Sequence, residues 1–158
     1  MSPEALDAYL HAHIPLARAM QAVVLESSDE VVVMRAPLAP NLNHQASVFG
    51  GSASALAMLA CWGLLCSRLT DQGLSSRGVR VVIQRNTMTF TRPMAADFIA
   101  RAFLTQAALW PQFLRTLARR GKARIAVSAR LRAAGEDTGF FDGDFVALTA
   151  PAEPADTT

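Results

Sequence analysis

From Gln45 to Ser67 the chain carries no charged residue, and this run constrains the fold more than any other feature. Its first half is small and polar, with Gln45, Ser47, Gly50, Gly51, Ser52 and Ser54. Its strongly apolar part, Ala53 to Cys66, is 14 residues long. A bilayer-spanning helix needs about 20 apolar residues, so this stretch is expected to be a buried core helix and not a membrane segment. The helix is expected to open at Gly51 or Ser52, run to about Leu69 and stop at Asp71-Gln72-Gly73. Apolar side chains cover nearly its whole circumference, which requires burial on most sides. Cys61 and Cys66 fall on different faces of it, so they are expected to stay unpaired, and neither has metal-ligand spacing.

The rest of the chain supplies the cover. Pro3 to His13 reads as a helix, with Ser2 as its cap and Leu6, Tyr9 and Leu10 on one face. Met20–Glu26 and Val31–Ala36 read as strands around the turn Ser27-Ser28-Asp29-Glu30. Pro37 to Ser47 reads as a loop. Val79–Thr91 is a long strand stopped by Pro93. Its apolar positions change parity, which predicts a bulge or two partly covered faces. Asp97–Thr105 is another strand, and Pro111–Arg120 a short helix closing at Gly121. Lys122–Ala133 alternates, with Ala123, Ile125, Val127, Ala129 and Leu131 facing in and Lys122, Arg124, Ser128, Arg130 and Arg132 facing out. Phe140–Thr149 is the last strand. One apolar helix followed by a run of strands defines an α+β class, an antiparallel sheet wrapped around one long central helix.

The 158 residues, 51% of them hydrophobic, suit one domain, expected over 1–150, with a Pro- and Ala-rich tail at 151–158 expected to be disordered. Net charge is only +2, but its distribution is uneven. No acidic residue occurs between Asp97 and Glu136, while seven of the 15 basic residues fall in 115–132. That region should carry a positive potential. No aromatic-basic motif accompanies it, so no nucleic-acid partner is expected. The opening MSPEALDAYL is acidic and amphipathic, unlike a secretory signal. With two thiols expected to be buried, this points to a reducing, cytoplasmic setting.

The segment Asn43-His44-Gln45-Ala46-Ser47-Val48-Phe49-Gly50-Gly51, running into Ser52-Ala53-Ser54-Ala55-Leu56, resembles the loop-and-helix signature of hotdog-fold thioesterases. It is similar in particular to the thioesterase type found as the C-terminal domain of YiiD-like bacterial proteins. Phe49-Gly50-Gly51 and Trp62-Gly63 look like that type's Phe-Gly-Gly and Gly-Trp pairs. Phe90-Thr91-Arg92-Pro93 before Asp97 resembles its strand-Pro-Asp junction, and Phe141-Asp142-Gly143-Asp144-Phe145 its final strand. The resemblance implies a hotdog fold, an acyl-CoA or acyl-carrier thioester as substrate, and a homodimer or a dimer of dimers. CoA would enter as part of the substrate, with no further cofactor and no metal.

The junction's chemistry agrees with that. A helix N-terminus presents free N–H groups and partial positive charge, and glycine lets a ligand approach the backbone. Hydrolysing a thioester builds negative charge on the carbonyl oxygen, which amides of Gly50, Gly51 or Ser52 could stabilise. Asn43 could hold a water or the loop turn, and His44 could act as general base near neutral pH. Ser52 and Ser54 are candidates for ligand or water contacts. Arg119, Arg120 and Lys122 are candidates for CoA phosphates. In related thioesterases an acid on the helix positions the attacking water; here that position falls on Met58, and no Asp or Glu occurs from Val31 to Thr70. A carboxylate must then come from elsewhere in the fold or from a partner subunit. A non-catalytic acyl-CoA binding module and a dehydratase or hydratase are the alternatives.

Overall fold

In the computed structural model, which describes residues 1–75 and 78–149, the uncharged run forms helix α3, Gly50–Asp71. Six strands surround it: β1 (Val23–Ser27), β2 (Val31–Ala36), β3 (Arg80–Phe90), β4 (Phe98–Leu104), β5 (Lys122–Ala133) and β6 (Glu136–Leu148). All neighbours are antiparallel, in the order β1-β2-β4-β5-β6-β3. By length and composition alone α3 could cross a bilayer. Its apolar surface is instead spent on the sheet, with Leu56, Ala60, Leu64 and Leu65 buried beside Phe98, Phe141 and Phe145. Burying such side chains contributes roughly 1.5–3 kcal/mol each, which holds the sheet curled around the helix.

The open side of this wrap is closed by α1 (Pro3–His13), capped by Ser2 Oγ, which accepts from Ala5 N at 3.2 Å. Leu6 and Leu10 are buried. Gly63 lets α1 approach: a Cβ there would lie 3.1 Å from Leu6 Cδ2. Beside it, Trp62 stacks on Tyr9 and donates from Nε1 to Val81 O on β3 at 3.1 Å. Thus Trp62-Gly63 joins α3 to both α1 and β3. The remaining α-helices among the described residues are α2 (Pro15–Ala19) and α4 (Trp110–Arg120).

Most expected elements are present, with informative departures. β1 starts at Val23 and not at Met20, because Pro15 opens a short helix and Gln21 turns the chain with φ +53°. β6 starts at Glu136, four residues before Phe140, because Ala134 (φ +50°) and Gly135 (φ +82°) form a two-residue hairpin turn. The polar, Gly-containing run after that turn hid the pairing. The parity change in β3 is a bulge between Ile83 and Arg85. Ser128, expected on the exposed face, is buried: it donates to Asp142 Oδ1 at 2.6 Å and lies 2.7 Å from Thr105 Oγ1. The expectation for 151–158 falls outside the described residues. Cys61 and Cys66 are free.

The two sheet edges differ. On β1, Asp7 Oδ1 accepts from Val24 N at 2.8 Å, and just before the strand His11 Nε2 lies 2.7 Å from Ala22 O. Side chains of α1 therefore occupy polar groups along that edge. On β3 the one side-chain bond to the backbone, among the described residues, is that of Trp62 near the strand's start. Val82 and Phe90 stay exposed.

Candidate functional site

Phe49 is the N-cap of α3, with extended backbone and no side-chain cap. A polar cap would have satisfied one of the first amides. Here the amides of Gly50, Gly51 and Ser52 have no acceptor among the described residues, the usual condition of an open helix start. The start is held in place from both sides. Asn41 is buried; its Nδ2 donates to Met20 O and Pro37 O, and its backbone carbonyl accepts from Phe49 N at 2.7 Å. Val48 N donates to Met94 O at 2.8 Å, which draws the segment after β3 against the segment before α3.

Between these segments lies a cleft of about 420 Å³, with Ser47, Val48 and Gly50 on one side and Phe90 to Met94 on the other. Its floor is apolar, Val48 and Met94 being only 5% and 3% exposed. Phe90 forms a wall against Gly50, where an added Cβ would lie 3.3 Å from the ring. Phe49 covers Gly51 in the same way, its ring 2.3 Å from where a Cβ would be, but that ring is 57% exposed and free to move. Gly50 therefore keeps the cleft open at the helix start, and Gly51 keeps room for Phe49. Arg92 is the one charged side chain among the residues lining the cleft, and it forms an ion pair with Glu136.

The other candidates divide. Asn43 is fully engaged by its loop: Oδ1 accepts from Gln45 N (2.8 Å) and Ser47 N (3.2 Å), and Nδ2 donates to Ser47 Oγ at 3.0 Å. It shapes the turn that carries Ser47 into the cleft. His44 is exposed on the same turn, without a partner among the described residues. Ser52 and Ser54 are half-buried on the first turns of α3, and their hydroxyls have no partner among the described residues. Met58 is half-buried and packs against the core.

Arg119, Arg120 and Lys122 are exposed at the end of α4 and the start of β5, where Arg115, Arg119 and Arg120 line a surface basin of about 630 Å³. None of the three forms an ion pair among the described residues. The sheet register places them far from the helix start. Lys122 pairs with Leu148 and Leu148 with Arg80, whereas Phe90, beside Gly50, is at the other end of β3. At about 3.3 Å per residue this is roughly 30 Å of strand. Within one chain the cluster and the cleft are not brought together. Val48, Phe90, Arg92 and Met94 form the cleft although none of them stands out in the sequence as a site residue. The signal was the Phe90–Pro93 junction, but the Val48–Met94 bond that forms the cleft has no trace in sequence.

An antiparallel sheet wrapped around one long apolar helix is the hotdog fold. The chain belongs to the family described as "Putative thioesterase (yiiD_Cterm)", which it matches over residues 3–149. Among solved structures it is similar to a protein of unknown function from Chlorobaculum tepidum TLS (22% identity, TM-score 0.87, covering 94% of this chain and 98% of that one). It is also similar to the "putative thioesterase" from Shewanella oneidensis (24% identity, TM-score 0.77, 92% and 96%). A thioesterase from Haemophilus influenzae shares the fold at 12% identity (TM-score 0.73, 94% and 92%). Comparison with curated proteins returns no match. Among the described residues no group of three His, Cys, Asp or Glu side chains could hold a metal.

Proposed function

We propose that the chain hydrolyses an acyl thioester of CoA or of an acyl carrier at the start of α3. The observation that carries this reading is the uncapped helix N-terminus opening through Gly50 into the cleft. Water adds to the thioester carbonyl, the oxyanion is held by amides of Gly50 and Gly51, and the C–S bond then breaks to release a free acid and a thiol. Asn43 holds the loop, and His44 on it is the candidate acceptor of the water's proton. Ser52 and Ser54 contribute hydroxyls near the leaving thiol. The absence of an acid from the cleft lining favours one second reading, a module that binds acyl-CoA without hydrolysing it.

The protein acts, in this reading, as a homodimer in the cytoplasm. Pairing two β3 edges about a two-fold axis sets the Arg80 end of one strand opposite the Phe90 end of the other. The basic end of one chain, with Arg119, Arg120 and Lys122, then lies beside the cleft of its partner, where CoA phosphates or an acidic carrier would bind. The test is hydrolysis of acyl-CoAs from acetyl to palmitoyl and of aryl thioesters by wild type and His44→Ala. A fall in kcat of about 100-fold or more with similar KM assigns His44 as the base. Unchanged kcat removes it from the mechanism, and no hydrolysis by wild type leaves the binding module.

A further inference from the structure

We propose that the cleft selects acyl groups that end in a carboxylate, the monothioesters of short dicarboxylic acids, with Arg92 as the residue that binds that carboxylate. The inference rests on the thioester reading above and concerns the far end of the same acyl group. The floor and walls of the cleft, Val48, Phe90, Pro93 and Met94, are apolar and suit a methylene chain. Arg92 is the single charge among the lining residues and it is a cation. A plain hydrocarbon chain gains nothing from a cationic residue at the cleft's edge. A terminal carboxylate gains a charge-assisted, planar pair of hydrogen bonds that a guanidinium is built to make. Glu136 bonds Arg92 through Nη1 only, so among the described residues the remaining N–H donors are available. Both partners of that pair are more than half exposed, so the pair orients Arg92 without consuming it. Arg92 follows Phe90 by two residues and Phe90 touches Gly50, so a carbonyl at the helix start and a carboxylate at Arg92 are spanned by a short chain.

The experiment compares kcat/KM for glutaryl-CoA and succinyl-CoA with pentanoyl-CoA and butyryl-CoA, for wild type, Arg92→Gln, Arg92→Lys and Glu136→Gln. Wild type should prefer the dicarboxylic member of each pair by about tenfold or more. Arg92→Gln should bring that ratio to about one, Arg92→Lys should keep part of it, and Glu136→Gln should keep or raise it. A wild-type preference for the neutral member, or a ratio unchanged in Arg92→Gln, overturns the inference while leaving the hydrolase reading intact. Calorimetric binding of the same CoA esters covers the case of no turnover. Tighter binding of glutaryl-CoA, lost in Arg92→Gln, upholds the selectivity and removes the hydrolase reading. Binding of neither class, or of both alike, overturns the selectivity as well.

Discussion

A methyl group on Gly50 would lie 3.3 Å from Cζ of Phe90, a ring 49% exposed and able to shift by a few tenths of an ångström. Gly50→Ala should therefore leave the fold nearly intact, with Tm within about 2 °C of wild type, since alanine is also the better helix former. The methyl would still intrude between the open amides and any carbonyl in the cleft, and kcat/KM should fall about tenfold or more. Equal small effects on both would reduce Gly50 to a packing residue. A second residue-scale prediction concerns Cys66. Burial pushes its thiol up to about 12, and burial raises Cys61 too. In the folded state both hold their protons above the pH at which the unfolded chain loses them, near 8.5. Their contribution to stability is therefore whole below about pH 8.5 and declines as pH rises toward 12. Urea midpoints should fall between pH 9 and 11, less so in Cys66→Ala, and iodoacetamide should label neither thiol at pH 8 without denaturant. Asn43, His44 and the glycine pair were legible in the sequence as residue types suited to the chemistry. Asn43's hold on its own turn, through partners two to four residues away, was among the roles the sequence offered. That Arg92 lines the cleft depends on the Val48–Met94 contact between segments about 45 residues apart, which no local pattern encodes.

At the scale of elements, periodicity revealed what it controls. The uncharged run had to be a covered helix and the alternation of Lys122–Ala133 had to be a strand, while the parity change in β3, open to a bulge or to two partly covered faces, is a bulge. What stayed hidden was set by turns and by tertiary packing: the Ala134-Gly135 hairpin, the short helix after Pro15, and the burial of Ser128 under Asp142. The contact of α1 with α3 belongs here too, since it closes the wrap. A Cβ at Gly63 already lies 3.1 Å from Leu6 Cδ2, and Leu6 is fully buried, so it has nowhere to move. Gly63→Val should displace α1 and strain the Trp62 contacts with Tyr9 and Val81, at a cost of roughly 1–3 kcal/mol. At this chain length that is a fall in Tm of about 3–10 °C. A thermal melt at or above wild type would show that α1 can ride outward without cost.

For the whole molecule, the difference between the two edges of the sheet favours β3 as the place for a second copy. A long unpaired strand templates association, and proteins commonly blunt such edges. Here β1 is blunted by Asp7 and His11, while β3, 11 residues long, has no such guard from Val82 onward among the described residues. The expected assembly is a dimer through β3, measured by light scattering as twice the 16.9 kDa chain mass at micromolar concentration. Consecutive residues of an edge strand turn their N–H groups alternately toward the neighbour and away. Of Thr87→Pro and Met88→Pro, one therefore removes an N–H bonded to β6 and the other an N–H on the open edge. The first removes a ladder hydrogen bond and should lower the melting temperature. The second should melt within a few degrees of wild type yet scatter as a monomer. If that monomer also loses turnover of CoA thioesters more than of thioesters lacking the nucleotide, the basic end of one chain serves the cleft of the other. A wild-type monomer would place the site within a single chain and leave Arg119, Arg120 and Lys122 as a solvated face, and two proline variants that both remain dimers would exclude β3 as the interface.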